Sequence, residues 1–193
     1  MASSKNSIYQ TAVIGLMSAM VFVGNFISIP IGDISRIHFG NIFCLLSGFI
    51  LGPVPGGVCA GLGGFLYDLT NPLYAREAVI TFFIKFVLGF FAGFIAHRRG
   101  YRGSSFKLNL LGGIIAGVIY LIAYLGKNFI ELYWYLKNPM ETVLFNLSIK
   151  ALSSTVNAVI AVVVSLILAP VFIKALKASG IEQKLFPNSN RDS

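Results

Sequence analysis

Apolar runs separated by short polar breaks organise this chain from end to end. Residues 8–29 are apolar apart from one notch at Asn25, with Lys5 the only charge before them. A polar loop with breakers at Pro30 and Gly32 follows over residues 30–37. Residues 38–51 then read as a short second helix. Gly52-Pro53-Val54-Pro55-Gly56-Gly57 is a dense breaker cluster and reads as a turn, and a Gly-rich third helix covers 56–69. Helices 2 and 3 are short for a full span, and the turn between them carries no charge. A fourth helix is expected over 78–96, a fifth over 108–126 and a sixth over 143–172, where Pro170 bends or ends it. Between helices 5 and 6, residues 127–141 are aromatic and charged, the composition of a membrane–water interface.

Composition makes this reading a membrane one. Hydrophobic residues are 56% of the 193 and charged residues only 11%, with a mean hydropathy of +0.79. A soluble fold of this size cannot bury that much apolar surface, and a disordered chain lacks it. Since a spanning helix takes about 20 residues, six of them use most of the chain and leave no room for an ATPase or enzyme domain. The net charge of +8 and pI near 9.7 do not point to nucleic acid, because the basic residues gather at the ends of apolar runs. With the N-terminus inside, Lys5, Arg98, Arg99, Arg102, Lys107, Lys174, Lys177, Lys184 and Arg191 are cytoplasmic, whereas Arg36, Arg76, Lys127 and Lys137 are outside. The expected fold is therefore an all-α integral membrane protein, a six-transmembrane-helix bundle with both termini cytoplasmic. Residues 1–175 form the single transmembrane domain and residues 176–193 a polar cytoplasmic tail.

The polar residues inside the spans carry the candidate chemistry. A lysine at mid-span costs about 2.5–3.5 kcal/mol on insertion scales and marks a bundle interior or cavity; Lys85 and Lys150 are two such residues. Asn146, Lys150, Ser153 or Ser154, and Asn157 share one helical face. That face is either part of a substrate site or tied into a structural ion pair of Lys150 with Asp68 or Glu131. Arg36, Tyr67, Asp68, Asn71, Tyr124, Asn128 and Trp134 add aromatic and polar groups at the outer ends, the combination that holds a small organic ligand. Thr11, Gly15 and Ala19 form a stripe of small side chains at intervals of four, suited to close approach of another helix, within this chain or from a partner. Cys44 and Cys59 lie inside apolar runs as packing residues. His38 and His97 fall on opposite sides of the membrane and cannot share a metal site. No nucleophile or phosphate-loop motif occurs, so the chain does not read as an enzyme.

The stretch Ile37-His38-Phe39-Gly40-Asn41-Ile42-Phe43-Cys44-Leu45-Leu46-Ser47-Gly48-Phe49-Ile50-Leu51-Gly52-Pro53, followed by Gly56-Gly57, Gly61, Gly63-Gly64 and Tyr67-Asp68-Leu69, resembles the substrate-binding S components of energy-coupling factor (ECF) vitamin transporters. It is closest to the branch labelled riboflavin-type. The resemblance covers about residues 8–175. It implies a multi-pass protein of a prokaryotic plasma membrane that binds a micronutrient at its outer face. A transmembrane coupling subunit and two cytoplasmic ATPases would be its partners; they use ATP, while this chain binds no cofactor and no metal. By position, Lys85, Tyr124, Asn128, Asn146 and Lys150 match the family's site, and Gly15-xxx-Ala19 is similar to its small-residue docking motif. The two lysines lean towards a ligand with a carboxylate or phosphate, pantothenate slightly ahead of pyridoxine, hydroxymethylpyrimidine, riboflavin and folate. A stand-alone secondary transporter or channel, and a membrane scaffold without ligand, are the alternatives. Cysteines introduced at positions 33, 74 and 137 should react with an impermeant reagent on intact cells, and those at 101 and 180 should not; labelling at 101 would overturn the six-span arrangement.

Overall fold

The computed structural model describes residues 2–31, 34–72 and 74–186. The elements are α1 (Ala2–Phe26), a two-stranded antiparallel hairpin of β1 (Ser28–Ile31) and β2 (Ser35–His38), α2 (Gly40–Leu51), α3 (Pro53–Thr70), α4 (Ala78–Ala96), α5 (Phe106–Phe129), α6 (Met140–Ala178) and α7 (Ile181–Leu185). Four segments are long and apolar enough to cross a membrane: Ile8–Phe26, Ala75–Ala96, Phe106–Tyr135 and Met140–Ala178. The helices α2 and α3, of 12 and 18 residues, fall outside that set and pack among the others. The described residues thus hold seven α-helices where six were expected.

Several boundaries differ from the sequence expectation, each for a local reason. The breaker cluster at 52–57 shrinks to one residue. Gly52 takes a left-handed φ of +87°, and Pro53 starts α3 at once, because proline is pre-organised for the first helical position. The loop at 30–37 is a hairpin with Ile29 opposite Ile37 and Pro30 opposite Arg36. The helix α5 continues as a π-helical stretch, Ile130–Tyr135, so the aromatic segment is wound rather than looped. Pro170 does not end α6, which runs for 39 residues. At 1.5 Å per residue that is about 58 Å, well beyond a hydrocarbon core of about 30 Å.

Within the expected polar tail, residues 176–186 are largely helical, in the end of α6 and in α7, and 187–193 lie outside the described residues. Gly180 at φ +68° turns the chain into α7, whose Leu185 is buried and whose main chain accepts a bond from Gln10 Nε2 at 3.1 Å. Lys184 Nζ sits 4.0 Å from the centre of the Tyr9 ring. The start of α1 and the end of the described chain therefore lie side by side.

Close helix contact rests on glycine. A Cβ on Gly48 would strike the Gly89 carbonyl, one on Gly56 would strike Gly48 Cα, and one on Gly89 would strike the Gly56 carbonyl. The three glycines mark the common crossing of α2, α3 and α4, where backbones touch because no side chain intervenes. Ser47 Oγ closes the crossing by donating to the Gly56 and Cys44 carbonyls, at 3.0 and 2.8 Å. Phe49, Leu45, Leu46, Val21, Cys44 and Cys59 fill the core around it. Gly89→Val should destabilise the protein by at least about 1–3 kcal/mol, the usual cost of overpacking, read as a lower midpoint of thermal unfolding. Gly15→Val, where a Cβ meets nothing, should leave that midpoint almost unchanged.

Candidate ligand-binding site

At one end of the bundle the helices diverge around a polar cavity of about 110 Å³. The hairpin supplies Ser35, Arg36 and His38, α3 supplies Asp68, α4 supplies Lys85, α5 supplies Tyr120, Tyr124 and Asn128, and α6 supplies Lys150 and Asn157. Tyr74, Glu77, Thr81, Lys127 and Ser154 complete the polar wall formed by the described residues.

Each group is held by identifiable bonds. Asn157 on α6 pins the hairpin by accepting from the His38 main-chain N–H at 2.9 Å and donating to the Arg36 carbonyl at 3.0 Å. Ser35 and Ser153 hydroxyls meet at 2.5 Å beside it. The Arg36 guanidinium donates to the Tyr67 hydroxyl and lies 4.4 and 4.7 Å from the centres of the Tyr67 and Tyr74 rings, a cation–π seat. Lys150 donates to Asn128 Oδ1 at 2.6 Å, and Asn128 Nδ2 donates to the Tyr124 carbonyl at 2.7 Å. Tyr120 and Tyr124 stack, with ring centres 6.0 Å apart and planes 8° apart. Lys127 is held between Glu77 and Glu131, the latter at 2.9 Å.

Lys85 forms the floor. Its ammonium donates to Asn25 Oδ1 on α1 at 2.9 Å and lies 3.5 Å from Asn41 Oδ1 on α2. All three side chains are buried. Above them the Nδ1 atom of His38 is buried without a partner. Burial, with Lys85 and then Arg36 nearby, drives the His38 pKa well below the usual histidine value, so the imidazole is neutral at physiological pH.

The electrostatic balance is uneven. Among the described residues, four cationic ones, Arg36, Lys85, Lys127 and Lys150, line the cavity against two carboxylates, Asp68 and Glu77. Among the described residues only Lys127 has a carboxylate within 4.0 Å. The alternative of a structural ion pair between Lys150 and Asp68 or Glu131 is not what the structure holds; an amide satisfies Lys150 instead. Three cations facing one cavity, with no carboxylate of the described residues paired to them, suit a ligand that carries negative charge.

Five of the seven residues expected at the site, Arg36, Lys85, Tyr124, Asn128 and Lys150, line this cavity. Asn146 does not. It lies one turn before Lys150 and its amide donates to the Thr142 carbonyl of its own helix at 2.8 Å. Trp134 is also outside the lining and 73% exposed, because the π-helical stretch turns it outward. Tyr120 was missed, although Tyr120, Tyr124 and Asn128 recur every four residues and so share a face. The hairpin was missed as well, although Gly32-Asp33 between two short isoleucine-bearing segments is a hairpin signal. On α1, Thr11, Gly15 and Ala19 all lie on the outside of the bundle, opposite the buried Met17, Val21 and Asn25.

Comparison with known proteins agrees with this picture. The model of the family described as "ECF-type riboflavin transporter, S component" matches residues 5–178. A solved structure described as the S component of a bacterial ECF transporter superposes with a TM-score of 0.59 at 23% identity, covering 91% of this chain and 99% of the other, and shows a shared fold. An uncharacterized protein in a gap 3′ region of Pyrococcus woesei is 26% identical over 94 residues, 49% of this chain. The match spans 60% of that relative's length.

Lys85 offers a direct check on the floor. Lys85→Met removes the donor shared by Asn25 and Asn41 and leaves buried amide oxygens unpaired, each costing about 1–3 kcal/mol. The expected result is a lower unfolding midpoint even without ligand; an unchanged midpoint would show that the ammonium does not hold the helices together.

Proposed function

The chain belongs to the S-component family of ECF-type riboflavin transporters, and from that premise we propose that it captures a small anionic micronutrient in the cavity between the hairpin, α3, α4, α5 and α6. Members of the family are membrane transport components, not enzymes. The observation that carries the substrate class is the set of three cations, Arg36, Lys85 and Lys150, around one cavity, with no carboxylate of the described residues within 4.0 Å of any of them. A carboxylate or phosphate placed there would receive charge-assisted bonds from Arg36 and Lys150, while the stacked Tyr120 and Tyr124 offer an apolar wall. Pantothenate belongs to this chemical class, but the comparisons give it no preference over other anionic vitamins. Riboflavin is the second reading, favoured by the family description and by the tyrosine stack.

In this proposal the cavity faces outside, both termini face the cytoplasm, and the host is a prokaryote. The excess of basic residues in the loop 97–107 and after α6 supports the orientation. The chain binds no cofactor of its own. A transmembrane coupling subunit docks on the α1 stripe of Thr11, Gly15 and Ala19, and two ATPases bound to that subunit consume ATP. The stripe's outward placement, with no atom near a Cβ built on Gly15, supports a partner there rather than internal packing.

Mass spectrometry of small molecules released from the purified protein, followed by titration calorimetry, tests the substrate. A carboxylate or phosphate compound should be recovered. Lys150→Ala should weaken its binding by roughly 10–150-fold, the loss of a charge-assisted bond of about 1.5–3 kcal/mol. Recovery of an uncharged flavin whose affinity ignores Lys150 would favour riboflavin. Gly15→Trp should preserve binding by the isolated protein while abolishing copurification of the coupling subunit and ATP-dependent uptake.

A further inference from the structure

A second cavity lies at the end of the bundle opposite the first, between the start of α5 and the end of α6, with a volume of about 240 Å³. Among the described residues no acidic one lines it; Lys174 and Lys177, one turn apart on α6, provide its charge. Asn109 on α5 is 4% exposed and lines the cavity. Its Nδ2 donates to the Gly103 carbonyl at 2.6 Å, which fixes the amide orientation, and its Oδ1 is buried without a partner. An unpaired buried acceptor costs free energy until a donor reaches it. The 24-residue α5 starts at the same place, so its N-terminal N–H groups add to the positive potential. Apart from Gly103 and Ser104, the remaining wall is apolar, from Phe106, Leu166, Pro170 and Ile173, and next to it on α6 stand outward-facing Ile167 and Val171.

We propose that this cavity binds the headgroup of one anionic phospholipid bearing a free hydroxyl, of the phosphatidylglycerol type. The phosphate pairs with Lys174 and Lys177, and the headgroup hydroxyl donates to Asn109 Oδ1. The acyl chains run along the apolar flank of α5 and α6. That flank is why a lipid, rather than a soluble phosphate compound, is the occupant: a basic recess between membrane helices that opens onto an apolar surface fits both halves of a lipid.

The test uses the full-length protein in neutral detergent, with lipid retention measured by native mass spectrometry against added dioleoyl phosphatidylglycerol, phosphatidic acid and phosphatidylcholine. Phosphatidylglycerol should be retained best and phosphatidylcholine least. K174Q/K177Q, on the outside of the helix, should lower phosphatidylglycerol affinity by roughly fivefold per lysine and remove its advantage over phosphatidylcholine. N109A should reduce the preference for phosphatidylglycerol over phosphatidic acid by roughly 2–10-fold. Equal retention of phosphatidylglycerol and phosphatidylcholine, or no effect of K174Q/K177Q, overturns the proposal. Full displacement by millimolar inorganic phosphate overturns the lipid assignment in favour of a soluble phosphate site. An unchanged phosphatidylglycerol to phosphatidic acid ratio in folded N109A overturns the hydroxyl contact; if N109A does not fold, K174Q/K177Q and the phosphate competition decide.

Discussion

A lysine ammonium buried among membrane helices must be satisfied by the protein, because the hydrocarbon around it offers nothing. Lys85 meets this requirement through two asparagine amides, Asn25 on α1 and Asn41 on α2, and so ties three helices at one point. Asn25 in turn donates to the Val21 carbonyl of its own helix at 2.6 Å, which holds its amide with the oxygen towards the lysine. The rest of the cavity is built on this floor. With the floor in place, Arg36, Lys150 and His38 approach the same space from the hairpin and α6.

That floor depends on how close the helices can come. Gly40 lies against the Asn25 side chain, and Gly64 lies against the aliphatic stem of Lys85; a methyl at either would displace the network. Glycine costs a soluble helix about 1 kcal/mol, but here it replaces side-chain volume with backbone contact where no hydrophobic drive between helices exists. The Gly48, Gly56 and Gly89 crossing does the same work further from the cavity. The Gly-rich character of α3 is therefore the structural condition for a polar centre inside an apolar bundle.

The long apolar runs and the mid-span lysines were legible in the sequence because each has one physical reading: length for the spans, desolvation cost for Lys85 and Lys150. Helix α4 appears at its expected bounds, Ala78–Ala96. What could not be read was pairing. Helical spacing put Asn146 and Lys150 on one face, but a turn of helix is enough to carry Asn146 away from the cavity and into a bond with Thr142. The aromatic run after α5 read as an interfacial segment between helices 5 and 6, and composition does not report the π-helical winding in which Trp134 faces outward. The role of Asn157 was half visible: its inward face followed from spacing, whereas its bonds to the hairpin main chain depend on a strand pairing distant in sequence.

The helix α1 is the element that reaches both the cavity floor and the proposed docking stripe. Its inner face, Met17, Val21 and Asn25, is buried against the core and ends in the Lys85 floor. Its outer face, Thr11, Gly15 and Ala19, lies roughly two residues out of phase and so points the opposite way. A rotation of α1 that loosens the Asn25 contact would also turn the small-residue stripe, because an α-helix moves as one body through its own hydrogen bonds. Close packing leaves little room for gradual adjustment, and Gly63 against Val21 on the inner face allows almost none. The cavity floor and the outer stripe are thus mechanically joined through a single helix, even though no side chain belongs to both.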